Sequence, residues 1–191
     1  MEEVYIADRT FEKVDFTTTV LLKGEYEHCV FTGCELSGIS LAGCSFVSCV
    51  FDGCNLSMAK PGNVALREVQ FKRCKILGFR FDECNAFGLS VSFDGCTLNH
   101  SSFYQAKLKK TVFKDTQLHE TDFTEADLAG SVFNNCDFAG AVFDRTILEK
   151  ADLRTAYNYT LDPELNRIKK ARFSLPAVTG LLHKYQIEIT A

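Results

Sequence analysis

The sequence predicts an all-β solenoid, a chain wound into square coils and closed at one end by a short helical cap. The first observation behind this is a period of five. From Phe11 a bulky apolar residue recurs at every fifth position through Phe16, Leu21, Tyr26, Phe31, Leu36, Leu41, Phe46, Phe51 and Leu56, then from Leu66 through Phe71, Ile76 and Phe81. After a slip of two residues the register runs unbroken from Phe93 to Leu153. Such a period is neither helical nor that of a pleated strand, which excludes a helix bundle or an ordinary sheet here. The second observation is a longer period of twenty. Phe11, Phe31, Phe51, Phe71, Phe93, Phe113 and Phe133 fall into one column that is entirely phenylalanine, while the next, from Phe16 and Leu36 to Leu118 and Phe138, is mostly aliphatic. Four five-residue units therefore make one turn of a square coil, and about seven coils stacked at about 4.8 Å give a rod of roughly 35 Å.

The third observation is the residue two before each centre. All nine cysteines lie there, at Cys29, Cys34, Cys44, Cys49, Cys54, Cys74, Cys84, Cys96 and Cys136, among Val, Ala, Ser and Thr. A position that takes small side chains almost exclusively points inward and is tightly packed, and a free cysteine behaves as a small buried hydrophobe. The composition agrees with one packed unit: 191 residues, 46% hydrophobic and 24% charged, excludes wholesale disorder.

Units such as Cys29-Val30-Phe31-Thr32-Gly33, Cys49-Val50-Phe51-Asp52-Gly53 and Ala126-Asp127-Leu128-Ala129-Gly130 resemble the pentapeptide-repeat proteins, whose pattern is A/C/S/T-x-L/F-x-x in tandem. The resemblance covers about three quarters of the chain and implies a right-handed quadrilateral parallel β-helix over residues 1–156 with the small residue and the bulky centre inside. The segment Leu181-Leu182-His183-Lys184-Tyr185-Gln186-Ile187-Glu188-Ile189 is similar to the ends of the Qnr-type and mycobacterial fluoroquinolone-resistance members. In those proteins a helix and terminal strand join two rods end to end. That implies a homodimer made by residues 157 to 191, with Leu175, Val178, Leu181, Leu182, Tyr185, Ile187 and Ile189 as interface candidates.

Two irregularities interrupt the rod. Pro61 stands where a Leu or Phe centre belongs, and residues 57–63 read as a short loop on the third side of the coil. The two-residue insertion within 85–91 reads as a bulged corner on the fourth side. Lys60, Pro61, Phe87 and Leu89 are the candidate loop contacts for a partner. Phe79, too large for a small-residue position, would fill space left by Pro61. From Tyr157 the repeat is read as ending. Asp162-Pro163-Glu164 resembles a helix N-terminus, which predicts a basic helix to Ala171, a second helix from Ser174 to Tyr185 and a strand over Gln186 to Thr190.

No catalytic or cofactor chemistry is expected. The cysteine spacings are multiples of five instead of the C-x2-4-C of zinc sites, and His100 with His119 lack a third ligand. No phosphate-loop, dinucleotide, zinc-protease or nucleophile-elbow motif is present, and a core filled by Phe and Leu leaves no pocket. The acidic start, the absence of an apolar run long enough to span a membrane and the odd cysteine count lead to a cytoplasmic expectation without membrane contact.

Surface charge is then the informative property, and it is banded. Residues 1 to 56 carry nine acids against three bases, 60 to 80 six bases against one acid, and 115 to 152 nine acids against two bases. The quinolone-resistance members imitate duplex DNA in the saddle of gyrase or topoisomerase IV. By that resemblance Asp115, Glu120, Asp122, Glu125, Asp127, Asp137, Asp144, Glu149 and Asp152 are the candidate phosphate substitutes. The alternative is a scaffold solenoid with an unrelated protein partner. A net charge of −4 argues against direct nucleic-acid binding.

Overall fold

The computed structural model describes residues 4–190. The chain forms a right-handed quadrilateral parallel β-helix. One face is a nine-stranded parallel sheet that begins at Thr10–Glu12, passes through Val30–Thr32, Val50–Asp52, Val69–Lys72, Val91–Asp94, Val112–Lys114 and Val132–Asn134, and ends at Asp152–Leu153 and Arg172–Phe173. This is the first face, and its register places Phe11 on Phe31, Phe31 on Phe51, Phe51 on Phe71, Phe71 on Phe93 and Phe113 on Phe133. The fourth face opens with a four-stranded parallel sheet, Val4–Ala7, Gly24–Glu27, Cys44–Val47 and Ala65–Arg67. The second and third faces hold single parallel bridges, such as Asp15 to Glu35 and Ser102 to Asp122.

The coil closes because the second residue after most centres turns the corner in the left-handed region, as at Gly53 (φ 64°), Lys110 (φ 60°) and Glu125 (φ 58°). Among the described residues no β-branched residue adopts this left-handed conformation, and Thr18 and Thr155, at the same position, do not, consistent with the steric penalty there. Inside, the rise of one coil sets the aromatic spacing. Phe31 and Phe51 stack with centroids 4.6 Å apart, Phe93 and Phe113 at 5.0 Å, and Phe113 and Phe133 at 4.9 Å. A second stack, Phe81, Phe103, Phe123 and Phe143, runs up the third face and meets the first edge-on, as Phe93 meets Phe103. Both geometries suit the ring quadrupole.

The small-residue position does more than save space. The Cys54 thiol donates to the Phe31 carbonyl at 3.3 Å, Cys74 to Phe51 at 3.3 Å and Cys96 to Phe71 at 3.3 Å, each reaching the centre of the coil before it. Further along, hydroxyls replace the thiols: Ser131 donates to Leu108 at 3.0 Å and Thr146 to Phe123 at 2.8 Å. The position therefore selects small side chains with a donor, which adds a reason for cysteine over alanine. All nine thiols are free and buried. Burial pushes Cys49 up to about 11 and Cys136 up to about 12, so they stay protonated and unreactive.

Several expectations are corrected. Residues 57–63 are not a loop: Pro61 is buried, and Lys60 pairs in register with Ser40. Proline removes only the centre's N–H, which at Leu41 donates to the Lys60 carbonyl; the corresponding Arg80 carbonyl instead accepts the Glu83 N–H in a 3-10 turn, Phe81–Glu83. Phe79 is buried and packs on Phe81, centroids 4.7 Å apart.

The repeat also does not end at Tyr157. Ile147 pairs with Arg167 and Leu153 with Phe173, so Ile168 and Phe173 are centres of a further coil, and the rod has eight turns between the nine strands of its first face. The basic helix over 163–171 is absent because Asn166 takes a small-residue position. Its side chain donates to the Phe143 carbonyl at 3.1 Å and accepts the Thr146 N–H at 2.8 Å. The Asp162 carboxylate does accept the Glu164 N–H, at 2.8 Å, but closes only a turn. The second helix reduces to 3-10 turns, Val178–Leu181 and His183–Tyr185, and 186–190 forms no strand. Gln186, left-handed at φ 51°, stops the last turn.

Candidate protein-interaction surface

With the interior occupied, chemistry is confined to the outside. The described residues hold no group of three or more metal-ligating side chains. The outward positions are the one before each centre and the two after it, and the side chain after a centre leans toward the one preceding the centre of the next coil. Pairs thus form about eighteen to twenty residues apart.

The nine acidic candidates do not share a face. Asp115 and Asp152 lie on the first face, Glu120 and Asp137 on the second, Asp122, Glu125 and Asp144 on the third, and Asp127 and Glu149 on the fourth. Eight of them meet a basic side chain. Asp115 lies 3.8 Å from Lys114, Glu120 3.3 Å from His100, Asp127 3.2 Å from Lys109 and Asp137 2.8 Å from His119. Glu125 and Asp144 share Arg145 at 3.0 Å each, Glu149 meets Arg167 at 2.7 Å and Asp152 meets Arg154 at 2.7 Å. Asp122 is the exception among the described residues, and it accepts the Thr124 N–H. Burial would raise Asp137, but hydrogen bonds from His119 and Asn158 prevail and hold its carboxyl below the usual range. His100 and His119 each face a carboxylate.

Further unpaired acids lie at the other end, beside Arg9, Lys13 and Lys23, which also take part in no ion pair among the described residues. Asp8, Glu12, Asp15, Glu25 and Glu35, in the first coils, take part in no ion pair among the described residues. Asp15 sits directly before Glu35 in the second-face ladder, and both carboxyls lie below their usual range. At Asp15 hydrogen bonds from Thr17 are the cause; at Glu35 burial opposes the shift but hydrogen bonds from Ser37 and Asn55 outweigh it. The charge count of residues 1 to 56 carried this signal. What the sequence reading lacked was the cross-coil pairing that neutralises the later band.

At the insertion, the Asn85 side chain accepts the Phe87 N–H at 2.9 Å and turns the chain outward. Phe87 is 79% exposed, with the Arg67 guanidinium 5.9 Å from its ring centroid, while Leu89 tucks against the core. Beneath lies a cleft of about 390 Å³ lined by Phe81, Leu89, Tyr104 and Lys107 among others. Lys60 is exposed on the neighbouring face.

The tail is pinned to the last coil. Lys184 reaches Asp162 at 2.8 Å and Glu164 at 2.7 Å, and the Tyr185 hydroxyl donates to Glu164 at 3.1 Å. The Gly180 carbonyl accepts the Leu161 N–H, and a Cβ at Gly180 would clash with the Tyr159 carbonyl oxygen. An open cleft of about 1120 Å³ remains between tail and rod, lined by Tyr157, Tyr159, Leu182, Ile187 and Ile189 among others. Of the interface candidates, Leu175, Tyr185, Ile187 and Ile189 are exposed, Val178 and Leu182 are half-buried, and Leu181 packs on the core.

Known proteins match this arrangement. The model of the pentapeptide repeat region matches residues 4–81 and 89–156, so the chain belongs to the pentapeptide-repeat family; the gap between the two segments falls at the insertion. Among solved structures, a trypsin-treated variant of QnrB1, a plasmid-mediated fluoroquinolone resistance protein, is 18% identical, with 97% of this chain and 91% of that chain covered and a TM-score of 0.73. Full-length QnrB1 is 16% identical, with 95% and 99% covered and a TM-score of 0.56. No curated protein matches the chain by sequence. No helix among the described residues is long and apolar enough to cross a membrane.

Proposed function

We propose that the chain is a non-enzymatic protein-interaction rod. The observation that carries this reading is an interior filled along its length by the protein's own Phe, Leu and Cys columns, with the charged side chains on a regularly spaced exterior and the few buried polar groups hydrogen-bonded within the coils. We read the partner as a type II topoisomerase, DNA gyrase or topoisomerase IV, engaged by a DNA-like acidic surface with an effect on quinolone sensitivity. Likeness of fold and length to QnrB1 supports this, as does the unpaired acidic surface of the first coils. Asp8, Glu12, Asp15, Glu25 and Glu35 are then its core, with Asp122 the member of the later band free to join them. The rod acts as a homodimer, the tail of one copy seated in the other's terminal cleft through Leu182, Ile187 and Ile189.

A second reading is favoured by the pairing of eight of the nine later acids, which suits a scaffold with an unrelated protein partner docked on Phe87 and Leu89. A supercoiling assay separates the two. Purified protein at micromolar concentration inhibits gyrase or protects it from a quinolone on the first reading and does neither on the second, where a pull-down returns some other protein.

A further inference from the structure

The bases of the C-terminal half, scattered along the sequence, converge on one side of the rod. On the fourth face, the coils centred on Leu108, Leu128, Leu148 and Ile168 are held one above another by bridges from Lys107 to Asp127, Asp127 to Ile147 and Ile147 to Arg167. Their outward positions present Lys107, Lys109, Lys110, Lys150, Lys169 and Lys170. With Arg167 this makes seven bases against two acids, Asp127 and Glu149, so five net positive charges sit here while the rest of a chain of net charge −4 carries nine negative ones.

The two acids are occupied by Lys109 and Arg167. Lys107, Lys110, Lys150, Lys169 and Lys170 are exposed and take part in no ion pair among the described residues. Lys110, Lys150 and Lys170 share one corner column, each left-handed with φ of 60°, 60° and 62°. At about 4.8 Å per coil the column spans about 14 Å, and Lys150 sits one coil below Lys170. Like charges stacked this way repel. Among the described residues no acid pairs with these three lysines, and an anion along the column would offset their repulsion.

The residue types select the anion. Protein interfaces are depleted in lysine and enriched in aromatic residues. Within the four coils from Leu108 to Ile168 this face has no outward aromatic side chain and Ile147 is its one large outward apolar residue, the exposed Phe87 lying at the insertion before them. Lysine suits phosphate as a point charge. Without an aromatic platform, unpaired bases have nothing to stack on, and with Arg167 held by Glu149 no free guanidinium fork remains to read a guanine edge. We propose that this face binds the phosphate backbone of duplex nucleic acid without sequence preference. The surface is separate from the acidic coils, and the inference stands whichever protein partner the rod has.

The test is fluorescence anisotropy of a labelled mixed-sequence DNA duplex titrated with the full chain, over about 25 to 200 mM salt. A triple variant, Lys110→Gln with Lys150→Gln and Lys170→Gln, is compared with a control of equal net charge, Lys13→Gln with Lys23→Gln and Lys60→Gln. The expected result is binding at low salt, weakened at least tenfold in the first triple, with the slope of log affinity against log salt reduced by about 2.7, close to 0.9 per lysine, and unchanged in the control. No binding by the unmodified chain at the lowest salt, or equal slopes in the two triples, overturns the proposal. So does displacement of the duplex by a polyglutamate peptide at lower concentration than unlabelled duplex requires, which reassigns the face to an acidic protein.

Discussion

Phe113 offers the sharpest test of how the rod is held together. Its ring is fully buried, stacked between Phe93 at 5.0 Å and Phe133 at 4.9 Å and met edge-on by Phe103 at 6.0 Å and Phe123 at 6.5 Å. Phe113→Ala removes four aromatic contacts and leaves a void. The void cannot collapse, because hydrogen bonds between coils fix the backbone spacing above and below, as in the registers to Phe93 and Phe133. The loss therefore falls in the upper part of the range for a buried phenylalanine, about 4 to 5 kcal/mol. At about 2 to 4 °C per kcal/mol for a chain of this size, the melting temperature falls by roughly 8 to 20 °C. Phe113→Leu, which the neighbouring aliphatic column tolerates, costs about 1 to 1.5 kcal/mol. Val112→Ala, on the adjoining outward residue, stays within about 0.5 kcal/mol. Urea unfolding of the three variants is the assay. A loss below about 1 kcal/mol for Phe113→Ala would refute the reasoning, since a stacked column that repacks that easily does not determine the coil.

Three further outcomes follow from the same geometry. In native buffer a thiol reagent should modify none of the nine cysteines within minutes and all nine after denaturation; rapid labelling of Cys54, Cys74 or Cys96 without unfolding contradicts the donor role assigned to that position. Cys49, Cys136 and Tyr26 have folded pKa values raised to about 11, 12 and 12, from ordinary values of 9.0, 9.0 and 10.0, so the unfolded chain ionises first. Their contribution is complete below pH 9 and is lost as pH rises from about 9 to 12. A melting temperature flat across that window contradicts it. Gly180→Ala places a methyl group against the Tyr159 carbonyl and should release the tail, converting the proposed dimer to monomer by light scattering; a dimer that survives both this change and removal of residues 175–191 excludes the tail interface.

The core was legible in the sequence because a solenoid gives each residue type one place. Phenylalanine at twenty-residue intervals and cysteine two before the centre can hardly arise from another fold. The eighth coil was equally present in Ile168, Ala171 and Phe173, spaced as in any earlier unit. It was obscured because Asn158 and Pro163 occupy the intervening centres and Asp162-Pro163-Glu164 imitates a helix cap. Pro61 misled for a related reason: it breaks helices and central strands, but here the ladder loses one N–H, and Glu83 supplies a donor to the carbonyl left over. The surface was legible only in part. Counting charge along the chain mixes four faces, so the paired acids of 115–152 looked like a continuous band and the lysines of the fourth face looked dispersed. Diagonal partners such as Lys109 with Asp127 and Arg167 with Glu149, eighteen residues apart in each case, decide which charges remain free.

The central claim, a rod that binds a topoisomerase through its acidic first coils, is tested most directly by competition. Gyrase bound to a labelled duplex is titrated with the full chain and with a variant carrying Asp15→Asn, Glu25→Gln and Glu35→Gln, three exposed or half-buried acids without an ionic partner among the described residues. The account predicts that the unmodified chain displaces the duplex at micromolar concentration and that the variant, equally folded by circular dichroism, requires at least tenfold more. Failure of the unmodified chain to displace the duplex, or equal displacement by both proteins, contradicts it.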